Sequence, residues 1–181
     1  MGFPGRTVDV PGPARPDLAA LVRSIPHDPF GHRAELTAAL QGGATREPGH
    51  LCVTAWVFAD DDRELLLVRH RLLGWVTPGG HVELGEAPAV ASARELREET
   101  GLELTPSSDG PEVLHSQLFP DGPTGPTHWH HNLGYLFAAG AARSWEPVAE
   151  PGAPVGWFRL EALPAPRAHD LDVIVPLLSS R

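Results

Sequence analysis

Residues 80–102, GHVELGEAPAVASARELREETGL, constrain the fold more than any other stretch because they specify a helix together with the loop that leads into it. The run 87–100 is rich in alanine, glutamate, leucine and arginine. Pro88 lies in its first turn and Gly101 follows its last residue, and both are common signals of helix ends. The sequence therefore predicts a helix over residues 87–100.

Three glutamates of this helix, Glu95, Glu98 and Glu99, stand at positions i, i+3 and i+4, so their carboxylates lie on one face. Like charges at such spacings destabilise a helix by roughly 0.2 to 0.5 kcal/mol per pair. Because the helix gains nothing from this crowding, we expect a cation among them. Mg²⁺ and Mn²⁺ prefer carboxylate, carbonyl and water oxygens. The spacing predicts that these three residues bind Mg²⁺, with Mn²⁺ as a substitute.

The residues around this cluster have predicted supporting roles. Gly79 and Gly80 let the backbone turn tightly, and we expect the Gly79 carbonyl to be a further metal ligand. Arg94 is predicted to point to a different side of the helix from Glu98. We expect it to hold Glu86 or the preceding loop through a charge-assisted hydrogen bond.

The full spacing resembles the Nudix box of the Nudix hydrolase family. That resemblance implies a three-layer α/β/α sandwich with a mixed β-sheet, and metal-dependent hydrolysis of nucleoside diphosphates linked to another group. It also implies catalytic roles for Glu95, Glu98, Arg94 and Glu86. The matching positions are Gly80, Glu86, Arg94, Glu95, Leu96, Glu98, Glu99, Gly101 and Leu102.

The rest of the chain is consistent with this α/β fold class. Apolar strand patterns cover residues 52–58, 64–69, 129–139 and 155–158, with a hairpin turn predicted at 60–62. Helical spacing of apolar residues predicts two short helices within 15–26 and 29–41. We therefore predict a short, partly helical N-terminal extension over residues 1–50, which caps the sheet or forms a lid or dimer contact, and a Nudix domain over 51–181.

Charge and cysteine usage restrict the partners. The formal net charge of -9 argues against a nucleic-acid-binding protein. The lone cysteine, Cys52, lies in an apolar strand pattern and is expected to be a small buried residue in a reducing, cytoplasmic protein. No apolar run approaches the length of a membrane span, and no signal peptide is indicated. Arginine without any lysine is typical of a GC-rich, bacterial genome.

Several side chains outside the box are candidates for substrate contact. His128 and His130 share one face of a predicted strand, and His131 and Trp129 adjoin them. Each could equally be a packing residue at the start of that strand. His81 is a further candidate, although a hydrogen bond that stabilises its loop is the simpler interpretation. Arg69, His70 and Arg71 could likewise steer a phosphate, although a solvated charged run is the simpler interpretation.

The predicted reaction is attack of water on one phosphorus of a small-molecule nucleoside diphosphate derivative. Candidates are nucleoside triphosphates, nucleotide sugars, ADP-ribose and dinucleoside polyphosphates. The residue that accepts the proton is left open among Glu95, Glu98, Glu150, His128 and His130. A catalytically silent ligand-binding sensor is the main alternative. An isopentenyl diphosphate isomerase is a weaker one, because that class needs a catalytic cysteine and Cys52 precedes the box by many residues. A homodimer is compatible with the sequence.

Overall fold

The structure, a computed structural model, describes residues 8–9, 18–41, 49–59, 63–119, 127–140 and 153–179. Within these ranges the helices are α1 (Leu18–Ser24), α2 (Arg33–Leu40), α3 (Pro88–Thr100) and α4 (His169–Leu178). The strands are β1 (Val8–Asp9), β2 (Gly49–Phe58), β3 (Glu64–His70), β4 (Gly74–Val76), β5 (Gly79–His81), β6 (Val113–Phe119), β7 (His128–Ala138) and β8 (Val155–Arg159). The predicted turn at 60–62, the candidate base Glu150 and residues 120–126 lie outside the described residues.

Strand β2 is the centre of a mixed sheet whose main order is β4-β3-β2-β7-β6. It pairs in parallel with β7 over its whole length, from Gly49 opposite Trp129 to Phe58 opposite Ala138. Because β7 occupies that edge, the short strands β1 and β5 pair with the other edge of β2. Strand β8 adds antiparallel to β3. This arrangement confirms the predicted mixed sheet.

Alternation of side chains along β2 separates two apolar cores. On one face, Leu51, Val53, Ala55 and Val57 pack with buried residues of α1, α2 and α3. On the other face, Trp56 and Phe58 pack with α4, whose contribution is Leu171, Ile174, Val175 and Leu178. Helices on both faces of one sheet make the three-layer α/β/α sandwich that the sequence predicts.

The N-terminal helices belong to the first of these cores. Val22 and Leu36 are fully buried there, and Ile25 is 1% exposed. Both helices are shorter than the predicted spans, since α1 covers seven residues and α2 covers eight. The proposed domain boundary at residue 50 stays a prediction. Among the described helices, none has the length and apolar character that crossing a membrane requires.

Candidate active site

Helix α3 ends at the predicted residue and begins one residue later than predicted. Pro88 is its first residue and the preceding Ala87 is extended. Gly101 closes the helix in the left-handed conformation, at φ 75°, and its N–H donates to the Arg97 carbonyl oxygen. Leu96 is fully buried on the face that packs on the sheet. The helix also contacts β5, so its glutamates lie beside the two-glycine strand.

Arg94 is the centre of the carboxylate cluster. Its Nε and Nη2 donate to the two carboxylate oxygens of Glu86 at 2.9 and 3.0 Å. Its Nη1 donates to Glu95 Oε1 at 2.8 Å and to Glu98 Oε2 at 3.0 Å. Nη2 also donates to the carbonyl oxygen of His81 at 3.0 Å. One guanidinium therefore joins the loop, β5 and the helix.

The contact between Arg94 and Glu86 agrees with the sequence prediction. The prediction that Arg94 points away from Glu98 is wrong, because residues four positions apart share a helix face. The Arg94 side chain is 17% exposed, and its guanidinium contacts the carboxylates of both Glu86 and Glu98. Its hydrogen bond to Glu86 raises the pKa of Arg94, so the group is a permanent cation.

The two glycines of β5 contact the remaining glutamates. The Gly79 N–H donates to Glu99 Oε2 at 3.0 Å. A Cβ atom on Gly80 would lie 2.6 to 2.7 Å from the carboxylate atoms of Glu95. Burial raises the pKa of Glu95, and the bonded Arg94 opposes that rise. Only a bare backbone lets Glu95 lie this close to the strand.

Replacing Gly80 with alanine is therefore expected to move the Glu95 carboxylate and to weaken divalent-metal binding at least about tenfold, since displacement of a ligand or its support has effects of this size. Titration of Mn²⁺ into both proteins measures the change. Gly110→Ala is the control, since Gly110 does not have a positive φ and the nearest atom that a Cβ there would meet is Leu21 Cδ1 at 4.0 Å. Equal metal affinity in the Gly80→Ala and wild-type proteins would contradict this placement of Glu95.

A cavity of about 370 Å³ opens beside this cluster, and its wall includes Cys52 and Thr54 of β2 and Asp170 of α4. It brings together seven of the residues singled out from the sequence, namely His70, Gly79, Gly80, His81, Glu99, His128 and His130. It adds side chains that the sequence does not point to as site residues: His50, Cys52 and Thr54 on β2, His115, Gln117 and Phe119 on β6, Asn132 on β7, and Asp170 on α4. The carboxylate cluster and the cavity are one continuous site.

Two predicted substrate contacts are not brought to this cavity. Trp129 follows His128 on β7, so its side chain lies on the opposite face, where it packs against the ring of His32 at 5.6 Å between centroids. Arg69 precedes the cavity residue His70, and its Nη1 donates to the Pro166 carbonyl oxygen at 3.3 Å. Alternation along the strands excludes both from the described cavity wall.

Comparison with known proteins shows the family of the chain. The family model of the NUDIX domain matches residues 48–178, which is more than half of the chain. The chain belongs to the NUDIX family. The matched region includes the box helix, the central strand β2 and all of α4.

Curated NUDIX relatives match in shorter segments. The m7GpppN-mRNA hydrolase NUDT17 of Xenopus laevis is 54% identical over 46 residues, covering 25% of this chain and 16% of that protein. The CMP-5'-(N-acetyl-N-hydroxy-3-aminopropyl)phosphonate hydrolase of Streptomyces rubellomurinus is 43% identical over 74 residues, covering 34% of each chain. The chain thus matches much less than two thirds of the length of these relatives.

A solved NUDIX structure supports the fold. A hydrolase of the NUDIX family from Clostridium perfringens superposes with a TM-score of 0.51 and 22% sequence identity. The superposition covers 71% of this chain and 97% of the other. At this identity the likeness confirms the NUDIX fold of the chain and says nothing about substrate.

Cys52 is buried in β2, with 1% exposure, as the sequence predicts. It is nevertheless close to the box in space, because its register partner is His81 on β5. Burial raises the pKa of the Cys52 thiol well above its usual range, and the Glu95 charge adds to the rise. The thiol is therefore neutral and a weak nucleophile, which argues against the isomerase alternative.

His131, unlike His128 and His130, lies on the face of β7 that packs against the N-terminal helices. Its Nδ1 lies 2.8 Å from Ser116 Oγ, and its ring is 5% exposed. Burial, together with the nearby His32, lowers the pKa of His131 to about 4. The ring is thus held neutral in the folded protein at neutral pH.

Acidification is expected to destabilise the protein through His131. An unfolded histidine has a pKa of about 6.5, so between about pH 6.5 and 4 the unfolded state binds the extra proton. The free energy of unfolding should fall by up to about 1.4 kcal/mol per pH unit for this group as the pH drops through that window. Urea unfolding across the window measures the slope, and His131→Gln should reduce it. An unchanged slope in that variant would assign the effect to other groups.

Proposed function

We propose that this NUDIX protein is a metal-dependent hydrolase that cleaves a diphosphate linkage in a nucleoside diphosphate derivative. The observation that supports this most is the continuity of the carboxylate cluster with the cavity: Glu99, Gly79 and Gly80 belong to both. Both relatives described above are named as hydrolases of nucleotide-containing compounds, which is consistent with the same substrate class.

The side chains present fit a hard divalent cation. Oxygens of Glu95 and Glu98 already converge on a single positive group, the Arg94 Nη1. Three box carboxylates, those of Glu86, Glu95 and Glu98, contact this one cation, so a net negative charge is left for a metal to neutralise. All of these donors are oxygens, which suits Mg²⁺ or Mn²⁺. Glu95, Glu98 and Glu99 would hold the ion, and the Gly79 carbonyl is a fourth proposed ligand.

Such an ion would polarise a phosphoryl oxygen and make water more acidic. The protein residues position the other participants. Arg94 and Glu86 fix the loop against the helix through their two-point contact. Water attacks one phosphorus, the phosphorus–oxygen bond of the diphosphate breaks, and the leaving phosphate keeps the bonding electrons. The proposed acceptor of the water proton is Glu95 or Glu98, through a carboxylate oxygen that the ion does not bind.

The cavity offers groups that suit the rest of a nucleotide. The ring of Phe119 is an aromatic surface, and the amides of Gln117 and Asn132 can donate and accept hydrogen bonds. His81 and His128 face the same space, which supports substrate contact by at least one of them. A volume of about 370 Å³ lies within the range of small-molecule sites.

A substrate panel tests this proposal. Nucleoside triphosphates, nucleotide sugars, ADP-ribose and dinucleoside polyphosphates are incubated with Mg²⁺, with Mn²⁺ or with EDTA, and released phosphate and mononucleotide are measured. We expect release from at least one class that requires a metal. If compounds bind but none is cleaved under any condition, the protein is a ligand-binding sensor and the proposal is wrong.

A further inference from the structure

We propose that His50, His81 and His130 form a second metal site, selective for a borderline divalent ion such as Zn²⁺ and separate from the glutamate cluster. One ring nitrogen from each of the three lies within 4.8 Å of those of the other two. All three rings face the cavity described above. This inference concerns metal binding alone and does not require the hydrolase activity.

The sheet itself brings these histidines together. His50 on β2 is the register partner of His130 on β7. His81 on β5 is the register partner of Cys52, which lies two residues beyond His50 and so points to the same face. Three neighbouring strands therefore each contribute one imidazole to one face. Backbone pairing fixes this convergence, so it does not depend on a flexible loop.

The distances suit coordination after small side-chain adjustments. His50 Nδ1 lies 2.8 Å from His81 Nε2, which places a hydrogen bond between the two rings. Two nitrogens bound to one tetrahedral zinc ion at about 2.0 Å lie about 3.3 Å apart. The ring of His130 is held by Phe119, which stacks on it with centroids 4.2 Å apart and an interplanar angle of 20°. Its Nε2 also lies 3.0 Å from His128 Nε2.

The type of ligand favours a transition metal. The cluster consists of three imidazoles, whose ring nitrogens lie within 4.8 Å of one another. An imidazole binds a metal through the lone pair of a ring nitrogen. Neutral imidazoles suit Zn²⁺ and similar transition metals, whereas the oxygen ligands of the glutamate cluster suit Mg²⁺.

Three protein ligands leave one position open on a tetrahedral ion, which is the arrangement typical of catalytic rather than structural zinc sites. The open position would face the same cavity as Glu99. A phosphate oxygen or a water molecule has the chemistry to occupy it. The site would thus place a second cation, one that prefers nitrogen ligands, in the same cavity.

Cobalt binding tests the proposal, because Co²⁺ replaces Zn²⁺ and absorbs visible light when nitrogen-bound in a tetrahedron. The full chain is stripped with a chelator and titrated with Co²⁺, and Zn²⁺ affinity is then measured by displacement. The titration is done in a Glu98→Gln/Glu99→Gln background, so that the glutamate cluster contributes little. We expect one ion per chain, with the visible spectrum of nitrogen ligands.

His81→Gln and His130→Gln should each weaken binding at least about tenfold, as loss of a ligand does. His81 is exposed, so that variant should keep its fold, which circular dichroism checks. His169→Gln is the control, since His169 is an exposed histidine on α4. Unchanged affinity in both ligand variants, or no Co²⁺ binding in the parent, would overturn the site. Mg²⁺-dependent hydrolysis by the wild-type protein is measured in a separate experiment. The histidine metal site and the hydrolase activity can therefore be disproved independently of each other.

Discussion

Replacing Glu98 or Glu99 with glutamine is expected to lower kcat about a thousandfold while the protein stays folded. Each change removes one negative oxygen ligand from the proposed metal site and keeps the side-chain size. Metal stabilisation of the transition state contributes several kcal/mol, and about 4 kcal/mol corresponds to a factor of about a thousand. Glu98 has a 48% exposed side chain, so its replacement should cost little stability. Steady-state kinetics on the substrate found in the panel measures the effect.

Glu103→Gln is the matched control for both variants. Glu103 is exposed, lies just beyond the end of α3 and has no role in the box. Its replacement changes the net charge by the same amount as the other two. Nearly full activity in Glu98→Gln and Glu99→Gln would exclude the proposed metal site, and an equal loss in Glu103→Gln would show a general charge effect.

Replacing Arg94 with alanine is expected to destabilise the metal-free protein by about 3 kcal/mol, the lower end of the cost of removing one partner from a buried ionic network. The Glu86 and Glu95 side chains are 12% and 15% exposed, so they would be left as largely buried, unneutralised carboxylates. Mg²⁺ or Mn²⁺ should recover part of that loss, because a cation bound to the folded state alone stabilises it. Urea unfolding with and without the metal measures both effects.

Arg97→Ala controls for the loss of an arginine from the same helix, since Arg97 is exposed. It should change stability by less than about 0.5 kcal/mol and respond little to metal. The account is contradicted if both variants lose the same stability, or if the Arg94→Ala protein gains nothing more from Mg²⁺ than the wild type does.

Local sequence signals predict much of this fold. Proline and glycine define the ends of α3 to within one residue, and apolar runs bounded by turn residues identify the longer strands. Helix α4 is not predicted, although Leu171, Ile174, Val175 and Leu178 have the i, i+3, i+4, i+7 spacing of a buried helix face. Pro176 lies inside this helix and hides the pattern, because proline usually ends a helix.

The cavity is less accessible to sequence reasoning, because distant segments form it. His50 and His81 are 31 residues apart in the chain, and they meet only because β5 pairs with the edge of β2. His130 joins them through parallel pairing, whose register no local turn specifies. The contact of Arg94 with Glu98, by contrast, follows from a spacing of four residues and could have been predicted.

The most direct test of the central claim is hydrolysis of the substrate panel in ¹⁸O-labelled water, with Mg²⁺ or EDTA, followed by mass spectrometry of the products. Water attack on phosphorus predicts Mg²⁺-dependent cleavage with one labelled oxygen in a phosphate-containing product, and no cleavage by Glu99→Gln. Cleavage that persists in EDTA, or ligand binding without any cleavage, would contradict the assignment of the glutamate cluster as the centre of a metal-dependent hydrolase.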